Sequence, residues 1–437
     1  MNYLSLNSLK LKGIEKYGFL FFLIGVFFLP STLFIAILFL LPAALISSFT
    51  LKNFYLKDKW NYPFLVFGIL ILSSSFLQNF VLRNNYYEIW DPMLSFINLG
   101  NWIPYIWLFW AFQPYLNSIS KRRFFALVLI AGTFPVLITG FGQYYFNWFG
   151  PFKTLGGLII WYQRPIENPA GLSGLFSSQN YAGSWLNIVW PFCIALFLEK
   201  KNNFFRKTIA LSFAISIGFA GFLTYSRNAW LGLLISLPIM IDRKRLKLFL
   251  PIMVFLIIII LFIFSPLFTN EISNSIRNLF PEKILLEFSS EGYEGLDSTR
   301  LDIYSKAISL IRESPIFGIG AASFPKIYQL ETSFWKGHSH NLLLELAVSY
   351  GLPACLIFFT TINILIFHSG RMIFIESKYN DISLFDKAFW TALLFFIISQ
   401  LADIQYFDGK ISLIIWILIA GVKKILEERN NRISESP

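Results

Sequence analysis

The residues best suited to chemistry in this chain are two histidines that flank one serine. His338 and His340 lie in a short polar run, and the sequence holds one other histidine. An imidazole titrates near neutral pH, so it can take a proton from a hydroxyl group as a general base. Hydrogen bonding at a helix start and metal ligation are the alternatives. A zinc site needs a third ligand, and no HExxH motif or cysteine cluster supplies one, so we predict no metal and no cofactor.

Two arginines have the chemistry to bind an anionic substrate. Arg227 lies between two apolar segments, and Arg300 opens a predicted helix. A guanidinium group matches phosphate oxygens bidentately, and a helix N-terminus also attracts anions. Snorkelling of Arg227 to lipid phosphate and solvation of Arg300 on a helix face are the alternatives. Together with the histidines, the arginines predict a site for an anionic, lipid-linked substrate.

The composition places these residues in a membrane protein. The chain has 437 residues, of which 56% are hydrophobic and 14% charged, with 50 Phe, 13 Trp and 19 Tyr. A soluble domain carries roughly 25% charged residues, so this chain cannot cover a water-facing surface and must be solvated by lipid. The net charge of +11 is spread in short runs between apolar segments. That pattern argues against a nucleic-acid partner and favours membrane lipid.

Apolar segments predict an all-α integral membrane protein with about twelve spanning helices. A tight helical hairpin is expected at Pro30 and Ser31, because one helix over 17–49 would be too long for a ~30 Å hydrocarbon core. We place the spans near 17–29, 31–49, 62–82, 101–117, 124–147, 181–198, 207–224, 228–241, 247–268, 341–367, 384–403 and 411–426.

Charge fixes the predicted orientation of these spans. With the N-terminus inside and the spans alternating, every inside segment carries at least three Lys or Arg residues, as in Lys121, Arg122 and Arg123. This is the positive-inside pattern, and it predicts that both termini are cytoplasmic. The predicted parts are a bundle of spans 1–9 (residues 1–268), an extracytoplasmic loop (269–340), and spans 10–12 with a cytoplasmic tail (341–437).

The long loop between spans 9 and 10 carries the predicted chemistry. Its first part is acidic, with Glu282, Glu287, Glu291 and Glu294. A helix follows, capped by Asp297 or Ser298 and ended by Pro315. Its expected apolar face holds Leu301, Tyr304, Ile308 and Ile311 at helical spacing. No P-loop or Asp-x-Asp pair occurs, so the sequence offers no obvious nucleotide or divalent-cation site.

Several short motifs, in order, resemble the O-antigen ligase and polymerase superfamily of bacterial envelope glycan assembly. The resemblance covers most of the chain and is best over residues 170–360. The motifs are Gly174-Leu175-Phe176 with Asn180 and Ala182; Tyr225-Ser226-Arg227-Asn228-Ala229-Trp230; Asp297-Ser298-Thr299-Arg300-Leu301; Ser314-Pro315-Ile316-Phe317-Gly318-Ile319-Gly320; His338-Ser339-His340-Asn341; and Tyr350-Gly351-Leu352.

The resemblance implies a GT-C-like, metal-independent glycosyltransferase of the bacterial cytoplasmic membrane, with its active site on the periplasmic side. Its donor would be a glycan on undecaprenyl diphosphate, and its acceptor the lipid A core of lipopolysaccharide or another glycan. By position, Arg227 and Arg300 would bind the diphosphate and His340 would be the general base, with His338 beside it. The expected supporting residues are Asn180, Asn341 and Arg164.

Three functions compete on the sequence alone. Within the enzyme class, ligase and polymerase are not separated, because acceptor choice depends on the shape of a cavity. A transporter of a small anion such as bicarbonate, or of a lipid-linked glycan, is the more distant alternative. Transporters place ionisable or helix-breaking groups at mid-membrane depth, whereas here the unusual polar residues collect outside the spans. A structural scaffold would leave the His and Arg residues without a purpose.

Overall fold

The computed structural model describes residues 13–51, 54–82, 86, 88–166, 170–200, 203–241, 251, 254, 299–376 and 383–434. These residues are mostly helical, and the described part of the chain adds one short antiparallel hairpin of β1 (Phe152–Thr154) and β2 (Ile159–Trp161). The predicted helical fold is therefore confirmed in its class. The predicted span 247–268, the four loop glutamates, Asp297 and Ser298 lie outside the described residues, except positions 251 and 254.

Most of the described helices overlap predicted apolar segments. They are α1 (Ile14–Phe28), α2 (Leu33–Thr50), α3 (Asn61–Phe80), α4 (Met93–Asn98), α5 (Ile103–Ala111), α6 (Ile119–Phe146), α7 (Gln179–Leu198), α8 (Phe204–Leu223), α9 (Arg227–Met240), α10 (Arg300–Glu313), α11 (Ser323–Thr332), α12 (Leu342–Tyr350), α13 (Leu352–Arg371), α14 (Leu384–Ser399) and α15 (Gly409–Ser434).

Six of the described helices are long and apolar enough to cross a membrane. They are Leu33–Thr50, Asn61–Phe80, Ile119–Phe146, Gln179–Leu198, Phe204–Leu223 and Leu352–Phe374. The count of twelve spans and the loop boundaries at 269 and 340 stay predictions. The chain forms two compact units, one of Met1–Thr133 with Ser298–Pro437 and one of Phe134–Asp297.

The hairpin predicted at Pro30 is present. The helix α1 ends at Phe28, and Thr32 caps α2 by accepting a hydrogen bond from the Ile35 N–H at 3.4 Å. The two helices pack closely at Gly25, where an added Cβ would lie 2.5 Å from the side chain of Leu40. Glycine is therefore favoured over any larger residue at this crossing.

The structure corrects the predicted single span over 341–367. This segment forms α12 and α13, which are separated at Gly351. The glycine has φ +89°, and a Cβ there would lie 2.0 Å from the carbonyl oxygen of Ile316. A left-handed backbone without room for a side chain requires glycine, so the break is built into the sequence. This break separates α12 from α13. The helix α12 begins directly after the segment that holds His338 and His340.

The expected apolar face of the loop helix is also partly wrong. The buried side chains of α10 are Ile303, Ala307, Leu310 and Ile311, whereas Leu301 and Ile308 are exposed. Two stripes on this helix have helical spacing, and periodicity alone does not say which of them packs. The cap differs too, because Thr299 accepts the Asp302 N–H and Asp302 in turn accepts the Thr299 N–H.

The first unit is built around α15. Trp416 on α15 packs against Phe64 at a ring-centroid distance of 5.2 Å and donates its indole N–H to the Tyr406 hydroxyl at 2.8 Å. Tyr406 stacks on Trp102 at 4.4 Å and donates to the Asn101 carbonyl at 2.8 Å. These contacts anchor the loop 400–408, which joins α14 to α15.

The second unit packs α7 against α8 and α9. An added Cβ on Gly183 of α7 would lie 2.9 Å from that of Ala229 on α9, so these helices are in close contact. The polar connection before α7 is held by buried Gln143. Its amide donates to the Arg164 carbonyl at 2.7 Å, and its oxygen accepts the Ser173 N–H at 2.9 Å.

Candidate active site

The two histidines lie on a tight turn between α11 and α12. The His340 backbone is left-handed, with φ +55°, and its N–H donates to Nδ1 of His338 at 3.1 Å. The two rings meet edge to face at a centroid distance of 4.5 Å. Asn341 then caps α12, because its side-chain oxygen accepts the N–H groups of Leu343 and Leu344. The His-Ser-His-Asn sequence thus holds both imidazoles side by side.

The loop 400–408 supplies a carboxylate to this turn. Nδ1 of His340 lies 2.7 Å from Oδ1 of Asp403, and the two side chains are 28% and 8% exposed. The second carboxylate oxygen accepts from Nε2 of Gln405 at 3.1 Å, and Gln405 is held by Gln400. A carboxylate bonded to Nδ1 favours the neutral tautomer that keeps its proton there. The lone pair is then on Nε2, where a base needs it.

Electrostatics sets the charges in this cluster. Burial disfavours the charged form of Asp403, but the hydrogen bond with His340 and electrostatic interactions with His340, His338 and Arg300 hold the pKa of Asp403 below its ordinary value. Burial, followed by the charge of His340, lowers the pKa of His338 to about 4. Near neutral pH, Asp403 is therefore an anion and His338 a neutral imidazole.

Arg300 reaches the same loop from the first turn of α10. Its Nη1 donates to the Ala402 carbonyl, and the Tyr304 hydroxyl, one turn later, donates to the Leu401 carbonyl at 3.3 Å. Asn341 also donates to Leu401, at 3.0 Å. Four predicted residues (Arg300, His338, His340 and Asn341) are thus brought together around Leu401–Asp403.

A buried glutamate supports the turn from below. Glu345 on α12 is 5% exposed, and its carboxylate accepts the backbone N–H of buried Ser339 at 2.8 Å. Ser339 stands between the two histidines, and its hydroxyl donates to the Asn341 carbonyl at 3.1 Å. Glu345 therefore fixes the middle of the turn without lying on either imidazole.

Replacing Glu345 with Ala should lower any activity that depends on the two histidines by roughly tenfold or more, because a displacement of about 1 Å in a positioned group can cost about a hundredfold. The Ser339 N–H would lose its buried acceptor, at a cost of about 1–3 kcal/mol. Glu345→Gln keeps an oxygen in place and should retain most of the activity. Turnover and abundance of both variants should be compared with those of Glu331→Ala, which removes an exposed carboxylate. Equal losses in the Ala and Gln variants would contradict a positioning role.

The other predicted site residues belong to the second unit; they are Arg227, Asn180 and Arg164. Arg227 is exposed and is the first residue of α9. A helix N-terminus attracts anions. Tyr225, two residues before Arg227, is buried with φ +52°, and its hydroxyl lies 2.6 Å from that of Tyr144. Asn180 lies in the first turn of α7, and Arg164 is an exposed residue of the preceding connection.

Sequence reasoning missed Asp403. A signal that could have found it is the polar stretch Asp403–Lys410, which lies between two apolar segments. Nothing local marks Asp403 as the partner of a residue 63 positions earlier in the chain. The same residue supplies the third donor that the histidine pair lacked. His338, His340 and Asp403 each offer one potential ligand atom, and these three atoms lie within 4.8 Å of one another.

Part of the chain matches a known protein family. Residues 210–359 match the family model of O-antigen ligase. The similarity to the O-antigen ligase family covers this part of the chain. The resemblance drawn from the motifs is thereby confirmed, and the matched range contains Arg227, Arg300, His338 and His340. No curated protein matches the chain.

The O-antigen ligase superfamily consists of glycosyltransferase-like enzymes, and its partners in general are a lipid-linked glycan and an acceptor. The family and the apolar helices together indicate a multi-pass membrane protein. Asp403 lies beyond the matched range, so the structure adds a site residue that the family match does not include.

Proposed function

We propose that this O-antigen ligase family protein transfers a glycan from undecaprenyl diphosphate to the lipid A core. The reaction would take place at the periplasmic face of a bacterial cytoplasmic membrane, with both termini of the chain in the cytoplasm. The pairing of His340 with Asp403 carries this proposal, because it is the arrangement of an oriented general base. An acceptor hydroxyl needs such a base to become a nucleophile.

In the proposed reaction, Nε2 of His340 takes the proton of the acceptor hydroxyl. The hydroxyl oxygen attacks the anomeric carbon of the donor glycan at the same time. The bond from that carbon to the diphosphate oxygen breaks, and undecaprenyl diphosphate leaves with the bonding electrons. The Asp403 carboxylate stabilises the imidazolium that forms, while neutral His338 adds no competing positive charge. Arg300 and Arg227 would bind the diphosphate, whose negative charge grows as the bond breaks. The step needs no metal ion.

The arginine roles can be tested in a strain that lacks its own copy of the gene. Arg300→Ala and Arg227→Ala should each lower transfer by roughly tenfold to a hundredfold, the loss of about 1.5–3 kcal/mol for a hydrogen bond to a charged group. Membrane abundance should be checked by blotting, and surface lipopolysaccharide should be separated on a gel. Arg312→Ala is the matched control for Arg300, because it removes an exposed positive charge from the same helix.

The glycan pattern also separates the two enzyme functions. A ligase defect leaves the lipid A core without long glycan, while polymer accumulates on undecaprenyl diphosphate. A polymerase defect places single repeat units on the core in place of long chains. An unchanged pattern in both arginine variants would contradict the site assignment and would favour a transporter.

A further inference from the structure

We infer that His338, His340 and Asp403 form a binding site for a divalent transition-metal ion of the Zn²⁺ class, and that binding of the ion inhibits glycan transfer. Three ligand atoms, one from each residue, lie within 4.8 Å of one another. Two of the residues are already in direct contact, with Nδ1 of His340 at 2.7 Å from Oδ1 of Asp403. His338 closes the group through its ring contact with His340 at 4.5 Å.

Small side-chain rotations would bring these donors to the geometry of a metal site. Tetrahedral zinc at ~2.0–2.2 Å from nitrogen and oxygen ligands places neighbouring donor atoms about 3.3 Å apart. Both imidazoles are partly exposed, so their rings have room to turn. The carboxylate is held by a second hydrogen bond, from Gln405 at 3.1 Å, which is the kind of outer contact that orients metal ligands.

The donor set selects the class of ion. Two imidazole nitrogens and one carboxylate oxygen suit Zn²⁺, Co²⁺, Ni²⁺ or Cu²⁺, whereas Mg²⁺ and Ca²⁺ prefer oxygen ligands alone. Three protein ligands leave at least one coordination position open, so a water molecule or a substrate oxygen would complete the shell.

Inhibition follows from competition for His340. A nitrogen lone pair that binds a metal ion cannot accept the proton of an acceptor hydroxyl. A metal on the carboxylate also weakens its hydrogen bond to Nδ1, which orients the ring. The inhibitory part of the inference rests on the proposed function, because it assumes that His340 is the base. The binding part rests on the donor geometry alone.

The binding test uses the full-length protein in detergent, purified through a tag without histidines. Co²⁺ is titrated while its visible absorption is followed, and Zn²⁺ is then added as a competitor. One Co²⁺ per chain should bind and be displaced by Zn²⁺. His338→Ala and Asp403→Asn should each weaken binding by roughly tenfold or more, since even outer-shell losses cost this much. His368→Ala is the matched control, because His368 is the third histidine of the sequence and is exposed on α13.

The activity test compares transfer with added Zn²⁺ and with excess chelator, as a ratio within each variant. The wild type and His368→Ala should lose transfer in Zn²⁺ and recover it in chelator, and the same concentration of Mg²⁺ should have no such effect. His338→Ala should give a ratio near one, whatever its own rate. An equal Zn²⁺ sensitivity in His338→Ala would show that the ion acts on the donor diphosphate, and would overturn the inference.

The two tests fail in distinguishable ways. No stoichiometric binding of Co²⁺ overturns the metal site and leaves the proposed transferase function unaffected. Binding without inhibition, or activation by Zn²⁺, overturns the inhibitory role and also contradicts His340 as a metal-free base.

Discussion

Replacing His340 with Ala should lower glycan transfer by roughly 10²–10⁴-fold, the usual contribution of a positioned general base. The variant should still reach the membrane, because the His340 side chain is partly exposed. The loss should fall on turnover rather than on the apparent affinity for the donor, since the base acts on the acceptor hydroxyl in the transition state. The measurement is the transfer rate of purified protein with saturating lipid-linked donor.

Asp403→Asn tests how the imidazole is oriented. The amide has nearly the same shape but no charge, so it can no longer stabilise an imidazolium or select the Nδ1–H tautomer. Transfer should fall, and the double variant with His340→Ala should be no slower than His340→Ala alone. Such non-additivity is expected of two residues that act as one unit.

Two outcomes would contradict this pairing. His368→Ala is the control for loss of a histidine. If His340→Ala and His368→Ala both keep the transfer rate within a few-fold of the wild type, His340 is not the base. If the two losses multiply in the double variant, Asp403 acts independently of His340, for example by holding the loop 400–408 in place.

The residue types of the candidate site were predictable from the sequence, but the contacts that bring these residues together were not. Histidine and arginine stand out in a chain with few polar groups, and motif order pointed to Arg300, His338 and His340. Their meeting depends on the loop 400–408, which is fixed by Tyr406 against Trp102 and Trp416. Those aromatic contacts join distant segments, and no local pattern encodes them. The sequence alone therefore assigns no role to Asp403.

The fold shows the same division between local and distant causes. The hairpin at Pro30 was predictable, because a proline between two apolar runs and a limit on helix length both act locally. The break at Gly351 was not, since it depends on the approach of the Ile316 carbonyl from another segment. Likewise, two stripes of α10 have the right spacing, and only packing decides which stripe is buried.

Arg122 illustrates how a charge pattern can hide a specific role. In the sequence it is one of three consecutive basic residues, and all three count equally towards the positive-inside pattern. In the structure Arg122 is 0% exposed, with Nε at 2.8 Å from Asp386 and Nη2 at 2.7 Å from Glu428. Its Nη1 donates to the Leu116 carbonyl at 2.9 Å. One guanidinium thus joins the first turn of α6 to α14 and α15.

Replacing Arg122 with Met should destabilise the protein by about 3–5 kcal/mol, the range for breaking a buried ion pair from one side. The cost arises because Asp386, 2% exposed, would lose its closer cationic partner and keep the ion pair with Arg429, at 3.4 Å. Arg122→Lys should recover part of the loss, since one ammonium group cannot reach all three acceptors in the planar geometry of a guanidinium. The measurement is thermal unfolding in detergent, followed by a thiol-reactive fluorophore that reports exposure of buried Cys193 and Cys355.

Arg123→Met is the matched control, because it removes the neighbouring positive charge and leaves the Arg122 contacts intact. Arg123 is half-buried and lies 5.9 Å from the ring of Phe385, a contact worth about 0.5–1 kcal/mol at exposed sites. The unfolding midpoint of Arg123→Met should fall less than that of Arg122→Met, because Arg123 is partly exposed whereas Arg122 is buried between two carboxylates. Equal shifts in the two variants would mean that total positive charge matters at this end of α6, and that the pairing with Asp386 and Glu428 does not.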